Sequence, residues 1–149
     1  MAENLLKEPI LEKEQILKLI PQKPPFVMVD SIYEYTALTG KMGFTIPPNN
    51  LLVENGLFSE PGLIEHMAQS MSLHRGYRDY LAGLDKPRTG FIGAIKTVEV
   101  LELPVAGARL TTYVEILNEI MKVTLVTART EDENGKLIAT SEMKTVTVD

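Results

Sequence analysis

The spacing of apolar residues predicts a short helix near the start of the chain. In residues 12–20, Ile16, Leu19 and Ile20 fall on one helical face, and acidic residues occupy the first turn, where they complement the helix dipole. Pro21 then ends the segment, because the residue before a proline is disfavoured in helical geometry.

The following residues change to a strand pattern. Residues 26–35 and 38–46 are rich in Val, Ile, Tyr and Thr, which predicts a pair of strands. Residues 51–60 predict a loop, because Asn55-Gly56 is a strong turn pair.

Residues 61–82 predict the one long helix of the chain. Pro61 suits the first turn, where a missing N–H costs little, and Gly83 suits the C-terminal stop. Gly76 is a weak point within the helix. Apolar residues recur at helical spacing, at Ile64, Ala68 and Met71, with Leu63 and Met67 beside them.

From about residue 90 the apolar period changes to two. This pattern predicts four long strands, at 90–102, 108–118, 120–131 and 136–148. Asn134-Gly135 is a favoured hairpin turn between the last two. A long antiparallel sheet with one helix on one face buries both apolar surfaces, so we predict a single α+β domain over residues 1–149.

Composition narrows the possible functions. The net charge of −5 argues against nucleic acid as the main partner, because phosphate binding requires a basic face. The absence of cysteine excludes disulfides, thiolate nucleophiles and zinc-thiolate sites. The acidic N-terminus lacks a basic segment followed by an apolar run, and no apolar run is long enough to span a bilayer. We therefore expect no signal peptide, no membrane association and a cytoplasmic location.

The start of the long helix carries the clearest candidate chemistry. The N–H of Gly62 lies in the first turn, has no intrahelical partner and carries no side chain that would block a ligand, which suits a donor to a thioester carbonyl. Glu65 lies one turn away on the same face, and Gln69 follows at the spacing for a hydrogen bond to its carboxylate. The alternative is that Glu65 is a solvated charge near a favourable dipole.

The two histidines do not have the spacing of a helical metal pair. His66 and His74 are eight residues apart, about 80° around the helix, so we expect no metal and no cofactor. His66 points about 100° away from Glu65, which favours a partly buried histidine bonded to backbone or water. The helix end carries a basic stretch, which either receives an acidic carrier protein or complements the helix dipole: Arg75, Arg78, Lys86 and Arg88.

Three ordered segments carry a family resemblance. The first is LIPQKPPFVMVDSI at 19–32. The second is 50–70, with its Glu-x-x-x-Gln core. The third is 90–116, in which a predicted strand is followed by Pro-Val, a small residue and Gly. In this order they resemble the β-hydroxyacyl-acyl carrier protein dehydratases of the hotdog superfamily. The helix start is similar to a sub-branch associated with polyene-type secondary metabolism.

The resemblance implies a hotdog fold, in which a long antiparallel sheet wraps around one central helix. It also implies a site between two subunits, where a histidine of one chain removes the α-proton and an acidic residue of the partner's helix assists departure of the hydroxyl. Glu65 matches the acidic residue, Gly62 the carbonyl donor and Gln69 an orienting group, whereas Gln22 stands at the histidine position. The implied substrate contacts are Phe26, Asn55, Gly56, Phe58, His66, Gly93 and Ala94.

Glutamine cannot accept a proton at neutral pH, so Gln22 leaves three hypotheses open. Glu65 acts alone in the dehydration of a 3-hydroxyacyl thioester of acyl carrier protein or coenzyme A. Alternatively, the chain is the non-catalytic, acyl-binding partner of a histidine-bearing homologue, or Glu65 activates water in a thioesterase. We expect a homodimer or larger homo-oligomer, or a heterodimer, because one helix cannot cover the faces and edges of so large a sheet.

Overall fold

The computed structural model describes residues 3–86 and 88–148, and only the backbone of residue 89. The elements in chain order are helix α1 (Lys13–Leu17), strands β1 (Ser31–Tyr35), β2 (Thr39–Thr45), β3 (Val53–Glu54) and β4 (Leu57–Phe58), helix α2 (Glu60–Leu81), and strands β5 (Thr89–Val100), β6 (Arg109–Ile120), β7 (Val123–Glu131) and β8 (Leu137–Val148).

Six strands form one antiparallel sheet in the order β1-β2-β6-β7-β8-β5, and β3 pairs only with β4. Helix α2 lies across this sheet and contacts β2, β5, β6, β7 and β8. The predicted α+β hotdog architecture, with one central helix and a short N-terminal helix, is confirmed. No helix in residues 3–86 or 88–148 combines the length and apolar character that a bilayer crossing needs.

The first half of the chain departs from the prediction in three places. Helix α1 is only five residues long. Strand β1 begins at Ser31, so residues 26–30 are an extended lead-in rather than strand. The predicted loop at 51–60 contains the β3–β4 hairpin, whose turn residues Asn55 and Gly56 both have left-handed φ angles, of 54° and 77°.

Helix α2 buries a face that lies beside the predicted apolar stripe. Leu63, Met67 and Leu73 have no exposed surface, whereas Ile64 and Ala68 are only partly buried. Gly76 was predicted as a weak point, but it is a packing contact. A Cβ atom there would lie 1.6 Å from the carbonyl oxygen of Leu19, so only glycine allows this approach.

Strand β5 is one edge of the sheet. It pairs with β8 on one side only, and its register shifts near Gly93 and again near Lys96. Phe91 is 60% exposed and Ile95 is 45% exposed. Within the described ranges, this edge therefore presents a long strand with apolar side chains and no neighbour on its outer side.

Candidate functional site

A cavity of about 280 Å³ lies between α2 and the inner face of the sheet. Most of its wall is apolar and consists of Ala68, Met71, Phe91, Ile92, Val114, Ile116 and Val126. Glu65 contributes a carboxylate from the first half of α2, and Gln22 contributes an amide from the segment before β1. Apart from Gly90, the other lining residues are polar: Ser72, His74, Arg75, Arg88, Thr124, Thr145 and Thr147. Apolar walls with polar groups placed between them are typical of a small-molecule site.

Gln69 holds Glu65 in position. Its Nε2 donates to Glu65 Oε2 at 2.8 Å, so the predicted hydrogen bond is present. The same amide nitrogen donates to the carbonyl of Phe26 at 2.8 Å, and Gln69 Oε1 accepts from the N–H of Met28 at 2.6 Å. Because all these bonds come from one buried amide, Gln69 clamps the lead-in to β1 onto α2 and fixes one oxygen of Glu65.

Gln22 reaches the same cavity from residues 19–30, the segment that precedes β1. That segment runs along α2 in the opposite direction, since Leu19 contacts Gly76 and Met28 bonds to Gln69. The Oε1 atom of Gln22 is buried and accepts no hydrogen bond from the described residues. The resemblance implies that the positions of Gln22 and Glu65 come from different subunits, but here both line one cavity of a single chain.

The surroundings of Gly62 differ from the prediction. Its N–H donates to Oγ of Ser59, the N-cap residue of α2, at 3.4 Å. Gly62 does not line the cavity. The ring of Phe58 lies 2.5 Å from the place where a Cβ would stand. The space beside Gly62 is therefore filled by Phe58, which corrects the prediction that nothing blocks the approach of a ligand there.

His66 is a structural residue. It has no exposed surface, its Nδ1 lies 2.7 Å from the carbonyl oxygen of Met28, and its Nε2 lies 2.7 Å from Thr112 Oγ1. The carbonyl can only accept, so Nδ1 carries the proton and Nε2 accepts from the hydroxyl. This geometry argues against the predicted contact of His66 with substrate. Among the described residues, no three His, Asp or Glu side chains are grouped to hold a metal ion.

The burial of His66 predicts a loss of stability in acid. Burial lowers its pKa from 6.5 to about 4, so the unfolded chain binds more protons between these values. Stability is then fully present above pH 6.5 and falls as the pH drops towards 4, by about 3 kcal/mol. Urea unfolding at several pH values should show this slope, and His66→Gln should reduce it. An unchanged slope in the variant would contradict the assignment.

The other predicted substrate contacts are not brought together at the cavity. Phe26 is 60% exposed, Phe58 is fully buried, and Asn55 with Gly56 forms the β3–β4 turn. Gly93 and Ala94 lie on the exposed edge strand β5, directly after the cavity residues Gly90, Phe91 and Ile92.

Sequence reasoning missed the threonines at the other end of the cavity and named Arg75 only as part of the basic stretch. Arg75 lines the cavity together with Thr124, Thr145 and Thr147, on the inner faces of β7 and β8. The alternation of side chains along these strands could have located them, since the threonines occupy the same inward-facing positions as Val126 and Met143. Much of the predicted basic stretch is paired with carboxylates: Arg75 and Arg78 with Glu119, and Arg88 with Asp79.

Comparisons with known proteins agree with this architecture. The family model described as ApeP-like, ApeP dehydratase, matches residues 14–148. The dehydratase heterocomplex ApeI:P from Xenorhabdus doucetiae is similar in structure, with a TM-score of 0.81, 15% identity, and coverage of 90% of this chain and 91% of that chain. No curated protein matches the chain.

Two further solved structures share the fold at lower similarity. The PaaI protein of the E. coli phenylacetic acid degradation operon has a TM-score of 0.62 and 11% identity, with coverage of 81% of this chain and 80% of that chain. A hypothetical thioesterase from Streptococcus pneumoniae, solved with coenzyme A, has a TM-score of 0.62 and 12% identity, with coverage of 78% and 84%.

Proposed function

The chain belongs to the ApeP-like family of dehydratases, and we propose that it binds a 3-hydroxyacyl thioester in the cavity beneath α2 and assists the removal of water from it. The observation that carries this proposal is the carboxylate of Glu65, which lies in a mostly apolar cavity and is held by the buried amide of Gln69. The thiol carrier is an acyl carrier protein or coenzyme A.

In this proposal Glu65 moves the proton that dehydration requires. Its carboxylate takes the α-proton, and the carboxylic acid formed returns that proton to the departing 3-hydroxyl. The Cα–H and Cβ–O bonds break, the carbon–carbon double bond forms, and one water leaves. Among the described residues none donates to Glu65 Oε1, so this oxygen is available to the substrate while Gln69 holds Oε2.

Gln22 orients rather than transfers a proton. Its buried Oε1 needs a donor, and a substrate hydroxyl supplies one. His74 also lines the cavity, but it does not replace the histidine that is absent at position 22. Its Nε2 bonds to the carbonyl of Thr36 at 2.9 Å, and nine residues of helix place it about 13 Å along α2 from Glu65.

A second chain would complete the site. The cavity residues Gly90, Phe91 and Ile92 belong to β5, whose outer edge faces no described strand. A partner strand that pairs with β5 would cover the exposed ring of Phe91 and separate the cavity from water. We propose a dimer formed through β5.

The second candidate function is a non-catalytic partner subunit. The observation that favours it is Gln22, because an amide cannot act as a base and the rest of the cavity remains able to bind an acyl group. A dehydratase heterocomplex also occurs among the structural relatives. In this case the histidine would come from the partner chain across β5.

The deciding experiment is a steady-state assay of dehydration with a 3-hydroxyacyl carrier-protein thioester. Hydration of the enoyl thioester is measured as the reverse reaction. We expect turnover by the chain alone, and faster turnover by Gln22→His, since a positioned base contributes roughly 10²–10⁴ in rate.

The remaining outcomes select between the alternatives. Activity only after addition of a histidine-bearing homologue would assign the chain to a partner role. Release of free thiol from an acyl thioester would assign it to the thioesterases. If neither the folded dimer nor its mixture with a homologue catalyses dehydration or hydration, the dehydratase proposal is wrong.

A further inference from the structure

The cavity has a polar end about ten residues along α2 from Glu65. Arg75 and the hydroxyl-bearing residues Thr124, Thr145 and Thr147 line it there. These threonines lie on inward positions of β7 and β8, where the neighbouring inward residues Val126 and Met143 are apolar. Buried positions are mostly occupied by apolar residues, so the hydroxyls at these positions give this end of the cavity hydrogen-bonding groups.

Arg75 is built into the wall rather than placed on the surface. Its side chain is only 15% exposed. The guanidinium donates to Thr147 Oγ1, to Thr124 Oγ1 at 2.7 Å and, over a long 3.4 Å, to Glu119 Oε2. A guanidinium has five N–H donors, so these contacts fix its plane and leave donors for a further acceptor.

The carboxylates near Arg75 are engaged mainly by other guanidiniums. Within the described part of the chain, Arg75 and Arg78 contact Glu119, and Arg88 contacts Asp79. Arg78 takes up both oxygens of Glu119 at 2.8 Å, and Arg88 takes up both oxygens of Asp79. The weak bond from Arg75 to Glu119 therefore leaves its charge the least neutralised of the three.

The distance between Glu65 and Arg75 determines how long a ligand must be to contact both residues. Ten residues of helix separate Glu65 from Arg75 by about 15 Å. An extended chain gains about 3.5 Å for every three bonds, so about thirteen bonds span this distance. The phosphopantetheine arm has thirteen bonds between its phosphorus and its sulfur, and an acyl chain of about twelve carbons has the same reach.

The geometry points to a second binding subsite, formed by Arg75 and the three threonines, for an anionic oxygen group of the ligand held about 15 Å from Glu65. This inference rests on the proposed function, since it concerns the same acyl thioester. The anionic group comes from one of two sources. It is either the phosphate of the phosphopantetheine arm or a carboxylate at the far end of the acyl chain.

Two matched pairs of ligands separate these sources, with binding to the complete chain measured by calorimetry. The first pair is S-butanoyl phosphopantetheine and S-butanoyl pantetheine. The second pair is the dodecanedioyl monothioester and the dodecanoyl thioester of N-acetylcysteamine. We expect one anionic member to bind roughly 10- to 100-fold more tightly than its neutral counterpart, as for a charge-assisted hydrogen bond.

The variants assign that preference to the subsite. Arg75→Gln should abolish the preference, so that each anionic member binds no more tightly than its neutral counterpart. Arg129→Gln is the matched control, because Arg129 is a half-exposed arginine on β7 that pairs with Glu131 and lies outside the cavity lining, and it should retain the preference. Thr145→Val changes a hydroxyl to a methyl of similar shape and should weaken the preference without a change of net charge.

The binding results distinguish a wrong subsite from a wrong proposed function. If the thioesters bind but neither anionic member is preferred, or if Arg75→Gln retains the preference, the subsite is wrong and the acyl cavity stands. If none of the four thioesters binds to the folded chain, both proposals are overturned.

Discussion

Replacing Glu65 with glutamine should lower the kcat of dehydration by about 100-fold or more, with little change in KM. Glutamine has nearly the same shape, so it fills the same part of the cavity and keeps a hydrogen bond to Gln69. It cannot take the α-proton or return it to the hydroxyl. The loss should therefore fall on the chemical step rather than on binding.

The matched control for this variant is Glu60→Gln. Glu60 is an exposed carboxylate in the first turn of the same helix, so its replacement removes the same charge without any change in the cavity. Steady-state rates in the dehydration and hydration directions should fall in Glu65→Gln and stay within a few-fold of wild type in Glu60→Gln. Equal rates in both variants would show that Glu65 is not the proton-transfer group.

If the chain acts instead as a partner subunit, the same pair of variants still gives an answer. A heteromeric dehydratase assembled with Glu65→Gln would keep its rate if the homologue supplied both acid and base. It would lose its rate if Glu65 were the acid for the histidine of the homologue. The measurement therefore tests the role of Glu65 in either assembly.

The sequence was sufficient to predict most of the architecture. The change from helical to strand period near residue 90 correctly predicted the four long strands, because alternation is strict when one face of a sheet is buried. The Glu65–Gln69 hydrogen bond was also predictable, since four residues along a helix bring two side chains together. These features depend on local geometry alone.

The parts that were not predictable depend on contacts between distant segments. The predicted opening beside Gly62 is filled by the ring of Phe58, and no local pattern reports that contact. The cavity end at Arg75 requires β7 and β8 to lie opposite the second half of α2, which only the tertiary structure establishes. Helix spacing likewise could not show that Gln22 and Glu65 share one cavity within a single chain.

Gly76 shows how such a contact reverses a prediction made from local propensity. Alanine is favoured over glycine inside a helix by about 1 kcal/mol, so propensity alone predicts that Gly76→Ala would stabilise the protein. The added Cβ would stand 1.6 Å from the backbone oxygen of Leu19, which cannot rotate away as a flexible side chain could. Relief then requires α2 to move away from residues 19–30, and overpacking of this kind costs about 1–3 kcal/mol or more.

We therefore expect Gly76→Ala to lower the free energy of unfolding by about 2 kcal/mol. Urea denaturation measures this, with Gly90→Ala as the control, since a Cβ at Gly90 meets its nearest atom at an ordinary 3.6 Å. The change should also reduce turnover, because Leu19 and Met28 anchor the two ends of the segment that carries Gln22 into the cavity. A Gly76→Ala protein as stable as wild type would mean that this segment adapts, and Gln22 would then not be held in a fixed position.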